Sequence, residues 1–253
     1  MLKPTERFSD RVSNYLKYRP SYPPALIDEL QKQCSLDSDS VIADIGSGTG
    51  KLSELLLARD FCVQCVEPNK EMRESAEALL GSHSGFTSID GQSEKTGLAD
   101  SSVDLITAAQ AFHWFDAEKT GKEFDRILKS EGRIALIWNQ RDTDQAFQRE
   151  YDEMLTKYAP EYSRVNHRNI NDSDIEAFYH PRQMKLHKFD YCQHFDSTAF
   201  IGRMNSSSYT PKKGTAEFAV LHDVAKDLFA KYEQNGKVEF SYQTNLYLSL
   251  SDS

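Results

Sequence analysis

The chain of 253 residues contains no apolar run of the length that a membrane span requires. Its first residues, MLKPTERFSDR, contain no hydrophobic segment of the kind found in secretion signals. Basic residues are in deficit, since 30 lysines and arginines face 39 acidic residues and leave a net charge of −9. Nucleic acids and anionic membrane surfaces usually require a basic face. We therefore predict a cytoplasmic protein with no nucleic-acid and no membrane partner.

Cysteine is also scarce, with four residues in the chain. Cys62 and Cys65 have the spacing of a redox or zinc pair, but both fall in a predicted strand, where an odd spacing points side chains to opposite faces. No second pair and no nearby histidine completes a metal site. We therefore predict apolar thiols and no metal. The signatures of serine hydrolases, zinc proteases and P-loop proteins are absent too.

The most informative segment is VIADIGSGTG at residues 41–50. An apolar, β-branched run leads into an acid, and three glycines then alternate with small polar residues. Leucines at helical spacing follow. This pattern predicts a buried strand, a glycine loop and the start of a helix. Such a loop lets a ligand approach the backbone closely, because no Cβ stands in the way.

The first candidate ligand for this loop is a dinucleotide, whose fingerprint is G-x-G-x-x-G. Here Gly46, Gly48 and Gly50 follow the pattern G-x-G-x-G, and Lys51 occupies the position of the third fingerprint glycine. Asp44, at the mouth of the loop, would repel a pyrophosphate. An acid there suits a ligand that has an ammonium group and no phosphate, such as S-adenosylmethionine.

The segment DIGSGTG resembles the first motif of the class I S-adenosylmethionine-dependent methyltransferases. The resemblance continues in VEPNKEM at residues 66–72 and in GQSEKTGLADSSVDLITAAQAFHWFD at residues 91–116. These segments, with YLKYRPSYP at residues 15–23, are similar to the type 11 group and, within it, to small-molecule methyltransferases of the trans-aconitate type. The resemblance covers roughly residues 8–140. It implies methyl transfer from S-adenosylmethionine to a small molecule, with S-adenosylhomocysteine as the other product.

The resemblance also implies a cofactor site along the ends of the predicted strands. Asp44 would contact the ammonium group and Glu67 the ribose hydroxyls; helix capping and a solvated strand end are the alternatives for these two acids. Met72 would lie against the adenine, or else pack in the core. The full set implied for the cofactor is Asp44, Gly46, Ser47, Gly48, Gly50, Glu67, Asn69, Met72, Gln92, Ser93, Glu94 and Gln110.

The N-terminal segment folds over the cofactor in the subgroup that the chain resembles. Tyr15 and Arg19 would then contact its methionine end. The alternative is a proline-terminated cap whose aromatic side chains fill the core.

The cluster AFHWFD at residues 111–116 supplies the candidate catalytic residues His113 and Trp114. Aromatic faces attract cations such as a sulfonium, and His113 is a candidate general base for a hydroxyl, amine or thiol acceptor. The alternative is that both residues only pack the lid. Methyl transfer mainly requires alignment without water, so no nucleophilic residue is needed.

Different classes of acceptor require different groups on the protein. A carboxylate acceptor needs no base, only positive groups to orient it, and Arg19, Arg141 and Arg203 are available for that role. Hydroxyl-rich residues 205–211 resemble a lid loop of the same subgroup, although turns are the simpler interpretation.

Apolar strands and helices alternate between residues 41 and 138, which predicts an α/β fold with a mostly parallel sheet covered on both faces. We expect a Rossmann-like, seven-stranded sheet with an antiparallel C-terminal edge strand and a helical cap. Strands are predicted at residues 41–45, 62–67, 86–89, 103–109, 133–138, 185–195 and 238–250. Helices are predicted at residues 6–19, 25–33, 51–59, 70–80, 118–129, 144–158, 197–204 and 216–233.

The chain is predicted to form one domain. Its cofactor-binding core spans about residues 36–140, the N-terminal cap residues 1–35, and the lid with the terminal strands residues 141–253. A methyltransferase acting on a small molecule, in particular on a carboxylic acid, is the favoured function. An NAD-dependent oxidoreductase and a non-catalytic protein that binds S-adenosylmethionine remain as alternatives.

Overall fold

The computed structural model describes residues 17–162 and 172–250. Its strands are β1 Val41–Ile45, β2 Cys62–Val66, β3 Phe86–Ile89, β4 Val103–Ala109, β5 Leu128–Arg141, β6 Met184–Phe195 and β7 Val238–Ser249. Its α-helices are α1 Pro24–Gln33, α2 Lys51–Leu57, α3 Lys70–Leu80, α4 Ala117–Ile127, α5 Ala146–Tyr158, α6 Asp172–Tyr179, α7 Ser197–Asn205 and α8 Ala216–Tyr232. Most of the helix predicted at residues 6–19 lies outside the described residues.

The seven strands form one sheet in the order β3-β2-β1-β4-β5-β7-β6. The first five are parallel, and β7 runs antiparallel between β5 and β6. The predicted seven-stranded Rossmann-like fold is therefore confirmed. The C-terminal strand is antiparallel as predicted, but it lies one place in from the edge, which β6 occupies.

Both faces of the sheet are covered by apolar side chains, as expected for parallel strands joined by helical crossovers. On one face Ile42 and Leu105 pack with Leu56 of α2; on the other Ile45 packs with Phe124 of α4. A third cluster joins α5, α7 and α8 to the β7 end of the sheet. The predicted helical lid thus has a core of its own.

The structure corrects the prediction between residues 117 and 141. The helix predicted to reach residue 129 ends at Ile127, and the chain enters β5 at Leu128, which pairs with Val103. After a register shift the pairing resumes at Arg133. The strand is therefore longer than predicted, because its polar first residues carry no alternating pattern.

Helix α6 was not predicted. It packs its apolar face against the sheet, where the buried Tyr179 hydroxyl donates a hydrogen bond to the carbonyl oxygen of Tyr247 at 2.7 Å. A helix of eight residues gives too short a pattern to be recognised from sequence.

Cys65 is buried on β2 and Cys62 is partly buried, and both are free thiols. Burial raises the pKa of Cys65 to about 12. Within the described ranges, no helix combines the length and the apolar composition needed to cross a membrane.

Candidate active site

The glycine loop connects β1 to α2 at the carboxyl end of the sheet. Gly46, Gly48 and Gly50 have φ of 69°, 58° and 80°, in the left-handed region that favours glycine. A Cβ on Gly46 would lie 2.7 Å from the Cβ of Ala111. The Gly46 N–H donates to the carbonyl oxygen of Val66 at 2.8 Å. The loop is therefore held against the end of β2 by a backbone hydrogen bond, and it approaches the residues after β4 more closely than a side chain at Gly46 would allow.

Glu67 follows β2 directly and braces this loop. Its carboxylate accepts hydrogen bonds from the backbone N–H of Gly48 and of Asn69, each at 2.8 Å. The side chain is 7% exposed. Burial raises the pKa of Glu67, against the opposing effects of these two donors and of Arg73. Each carboxylate oxygen has a second lone pair, so Glu67 can also accept hydroxyl groups of a ligand.

Asp44 lies beneath the loop, in the sheet. It is 1% exposed, and its oxygens accept hydrogen bonds from the hydroxyls of Ser53 at 2.6 Å and Thr107 at 2.9 Å. Burial raises its pKa to about 6, although these two hydroxyls counteract the shift. The carboxylate thus ties β1 to α2 and β4. Its contact with an ammonium group stays a prediction.

Asn69 and Met72 are both buried at the start of α3. The Asn69 side chain caps this helix, since its Oδ1 accepts the N–H of Met72 at 3.0 Å. The sequence prediction placed both beside the adenosine. Asn69 and Met72 follow Glu67 by two and five residues, which keeps them at the same edge of the sheet.

The loop after β3 is tied to the aromatic cluster predicted from AFHWFD. Thr120 donates to the buried Ser93 hydroxyl at 3.1 Å, and Glu94 accepts the N–H of Asp116 at 3.1 Å. Gln92 forms a two-residue bridge with Lys95 through backbone hydrogen bonds. The three residues predicted to border the adenine are thus in a loop held by α4 and its N-terminus.

The chain leaves β4 through Gln110, which has a φ of 56°, and then forms a short 3₁₀-helix at Phe112–Trp114. The ring centroids of His113 and Trp114 lie 4.8 Å apart. His113 Nδ1 is buried and has no hydrogen-bond partner in the part of the chain that the structure describes. Burial and the charge of Arg19 lower the pKa of His113 to about 4. Its imidazole is therefore neutral at physiological pH and weakly basic.

Arg19 connects this cluster to the lid. Its guanidinium donates to the backbone oxygen of Ser206, after α7, at 3.4 Å. Its charge also acts on Tyr209, because burial would raise the pKa of that tyrosine but the charges of Arg141, Arg203 and Arg19 outweigh the effect and lower it. Tyr15, predicted to act with Arg19, lies outside the described residues.

Two buried arginines and four tyrosines meet where β5, β7, α5 and α7 converge. We call them the arginine–tyrosine cluster: Arg141, Tyr151, Tyr162, Arg203, Tyr209 and Tyr242. Arg141 is neutralised locally, because its guanidinium lies 2.6 Å from the Asp152 carboxylate and over the ring of Tyr151, 5.0 Å from the ring centroid.

Arg203 differs from Arg141 in its partners. It is 5% exposed, and none of the described carboxylates lies within 4 Å of it. Its Nη1 donates to the Ser207 hydroxyl at 3.2 Å, whereas its Nε has no hydrogen-bond partner among the described residues. The Tyr151 hydroxyl and, three residues earlier on α5, both polar atoms of the Gln148 side chain are buried and equally unpaired within that part of the chain. Buried polar groups are normally satisfied, so this set is suited to an anionic or polar ligand.

The hydroxyl-rich loop at residues 205–211 closes the C-terminus of α7. Ser206 donates to the carbonyl oxygen of Arg203 at 2.6 Å, and Thr210 to that of Met204 at 2.7 Å. These bonds are those of a turn, which was the simpler of the two interpretations. Through Ser207 the same loop also positions Arg203.

Sequence reasoning missed the partners of Asp44 and most of the arginine–tyrosine cluster. Thr107 gives the one available signal, since it is a hydroxyl within an otherwise apolar end of β4. The tyrosines lie in segments whose periodicity predicts burial only, so nothing in their local sequence indicates that they meet.

Comparison with known proteins gives matches over the core and over the whole fold. A family model for the methyltransferase domain, type 11, matches residues 43–136. An uncharacterized methyltransferase of Mycobacterium tuberculosis is 36% identical over 148 residues, which are 58% of this chain and 58% of that protein. The match therefore spans less than two thirds of that relative's length.

Two further proteins extend the comparison. A Saccharomyces cerevisiae protein named a probable S-adenosylmethionine-dependent methyltransferase is 30% identical over 129 residues, covering 49% of this chain and 44% of that one. A solved structure from Anaeromyxobacter dehalogenans, named as a type II methyltransferase, superposes with a TM-score of 0.73 at 22% identity, over 93% of this chain and 100% of that chain. The structural likeness shows the fold.

Proposed function

We propose that the chain, whose residues 43–136 match the type 11 methyltransferase domain, is a class I S-adenosylmethionine-dependent methyltransferase and that it methylates a small carboxylic acid. The acceptor class is the new element, and one observation carries it: the buried Arg203 has no carboxylate partner among the described residues. The relation to methyltransferases of the trans-aconitate type, the cytoplasmic location and the one-domain organisation stay predictions from the sequence.

The residues at the sheet edge fit the cofactor. The loop at Gly46, Gly48 and Gly50 presents backbone without side chains, and Glu67 offers a carboxylate to the ribose hydroxyls. A dinucleotide fits less well, since Lys51 replaces the glycine that its fingerprint requires. When bound, S-adenosylmethionine supplies an activated methyl group with a neutral thioether as leaving group. The chain's task is to align an acceptor with that methyl group and exclude water.

The neutral state of His113 supports an acceptor that needs no base. A general base is most effective when its pKa lies near the working pH, and the pKa of His113 is about 4. A carboxylate is already ionised at neutral pH, so it can attack without losing a proton. His113 and Trp114 would then shape the site around the methyl group instead of moving a proton.

Arg203 would orient the acid. Guanidinium groups bind carboxylates through paired hydrogen bonds, and in a buried site such bonds are worth about 1.5–3 kcal/mol. Arg141 is less available because Asp152 already pairs with it. The unpaired Tyr151 hydroxyl and Gln148 Nε2 offer further donors to an oxygen-rich ligand.

The test is a screen of acceptors with S-adenosylhomocysteine formation as the readout. Mono-, di- and tricarboxylic acids are compared with phenols, amines and thiols, and an alkali-labile product identifies a methyl ester. We expect turnover with an acid. Turnover confined to phenols, amines or thiols would contradict the proposed acceptor. Calorimetric binding of NAD without binding of S-adenosylhomocysteine would contradict the cofactor as well.

Substitution of Arg203 tests the role of its charge. Arg203→Met should raise the KM for the acid at least about tenfold, from the lost charge-assisted bonds, with the Kd for S-adenosylhomocysteine unchanged. Arg182→Met is the matched control, since Arg182 pairs with Asp125 in a surface ion pair. An unchanged KM in a folded Arg203→Met variant would show that Arg203 does not contact the acceptor.

A further inference from the structure

A second set of reactive side chains lies outside the candidate active site, on the exposed face of the β6–β7 pair. Cys192 and His194 are two residues apart on β6, so they share one face of the strand. Glu239 of β7 is the cross-strand partner of His194. One ligand atom from each of the three side chains lies within 4.8 Å of the other two. We propose that Cys192, His194 and Glu239 bind a zinc ion.

The chemistry of the three groups matches that ion. Thiolate, imidazole and carboxylate are the ligands that zinc takes in proteins, at about 2.0–2.3 Å from the metal. Ligand atoms around a tetrahedral ion at those distances are separated by about 3.3–3.7 Å. His194 Nε2 and Glu239 Oε2 are already 3.1 Å apart. All three side chains are exposed, so small rotations can bring the Cys192 sulfur to the same distance from the other two ligand atoms. Water completes the four ligands.

Neighbouring groups hold the carboxylate in place. The Ser241 hydroxyl donates to Glu239 Oε1 at 2.8 Å, and Gln145 Nε2 donates to the Ser241 oxygen at 3.1 Å. Glu239 Oε2 is thereby directed toward His194. Such outer contacts fix the orientation of metal ligands. The site thus has a supporting layer that links it to the loop after β5.

The surrounding charge favours a cation. Asp142, Asp144 and Asp190 line the same surface depression as Cys192 and Glu239. Calcium and magnesium prefer oxygen ligands alone, whereas a thiolate with an imidazole selects zinc. On binding, the Cys192 thiol loses its proton to solvent and its sulfur bonds to the metal. The ion would clamp β6 to β7 next to the loop that follows Arg141.

The experiment is a calorimetric titration of the full chain with zinc chloride, in a reductant that does not bind zinc. We expect one ion per chain. Cys192→Ser, His194→Gln and Glu239→Gln should each weaken the affinity at least about tenfold, since loss of an outer contact alone costs 10–100-fold. Cobalt chloride should give thiolate-to-metal charge-transfer absorption that Cys192→Ser abolishes. The readouts are independent of methyl transfer, so they stand whether or not the proposed function holds.

Two matched variants separate coordination from general attraction. Cys62→Ser removes a partly buried thiol on β2, and Asp190→Asn removes an exposed acid on the same face of β6. Cys62→Ser should bind zinc as the native chain does, and Asp190→Asn, which removes a surrounding charge but no ligand, should weaken binding far less than Cys192→Ser does. The proposal is overturned if zinc does not saturate a site, if Cys192→Ser binds as tightly as the native chain, or if Asp190→Asn weakens binding as much as Cys192→Ser. A stoichiometry of one ion per two chains would also overturn it.

Discussion

Glu67 is the residue at which the reasoning on the cofactor is tested most directly. Its carboxylate accepts the N–H groups of Gly48 and Asn69 at 2.8 Å each, and it is the acid predicted to bind the ribose. Glu67→Ala removes charge-assisted hydrogen bonds worth roughly 1.5–3 kcal/mol. We therefore expect the Kd for S-adenosylhomocysteine to rise by about one to two orders of magnitude.

The same substitution also leaves two buried donors without an acceptor. Each unsatisfied group costs about 1–3 kcal/mol of the free energy of unfolding, so loss of affinity alone does not separate a direct contact from a loosened loop. Glu67→Gln keeps an oxygen for one donor and removes the charge. Glu77→Ala is a control, because Glu77 lies exposed on α3 and its carboxylate accepts only the Ser88 hydroxyl in the described contacts.

A thermodynamic cycle with a deoxyribose analogue of S-adenosylhomocysteine separates the two effects. If Glu67 binds the ribose, loss of the ligand hydroxyls weakens binding to the native chain and leaves binding to Glu67→Ala almost unchanged. Calorimetry measures the four Kd values, and urea unfolding confirms that each variant is folded. Equal losses for the native chain and the variant would refute the ribose assignment. So would an unchanged Kd for the variant with the intact ligand.

Two pH predictions follow from buried groups. The pKa of Asp44 is raised from 3.8 to about 6 in the folded chain. The contribution of Asp44 to the free energy of unfolding, about 3 kcal/mol, is therefore complete below pH 3.8 and is lost as the pH rises through 6. Urea unfolding between pH 4 and 7 should show a steeper fall of this free energy for the native chain than for Asp44→Asn, and equal slopes would contradict the shift. The pKa of His113 is lowered, so with an acid acceptor kcat should show no imidazole titration between pH 6 and 8. His113→Ala should lower kcat less than about tenfold. A fall in kcat of about 10²–10⁴ would indicate that His113 is a general base instead.

The core of the fold was predictable because its strands are short, apolar and bounded by turn residues. The segment at Val41–Ile45 and the helix at Lys70–Leu80 have the predicted bounds, since hydrophobic period and capping agree there. The start of β5 was not predictable. Residues 129–131 are polar and residues 128–132 follow a helix without a break, and only pairing of Leu128 with Val103 makes this segment a strand.

The candidate site also has one part that could be predicted from the sequence and one part that could not. The glycine loop and Glu67 lie within one strand–helix–strand unit, so their arrangement follows from local sequence. Arg203 and Tyr151 come from two different helices and are 52 positions apart in the sequence, and they meet only when β7 inserts between β5 and β6. Neither side chain carries a motif, so their meeting required the structure.

Acidic and basic residues lie on opposite sides of the candidate site. The cofactor side of the site is acidic, with Glu67 and Asp44 buried near the loop, and the lid side contains Arg19, Arg141 and Arg203. If the acceptor is an acid, as proposed, these charges would attract it to the lid and away from the acidic cofactor side. Methylation of a carboxylate removes its negative charge, so the ester loses the attraction of Arg203 that bound the acid. The carboxylate already loses part of its charge in the transition state, and burial away from water favours such a loss of charge. On the proposed function, Arg203 would therefore bind the acid more tightly than the methyl ester formed from it.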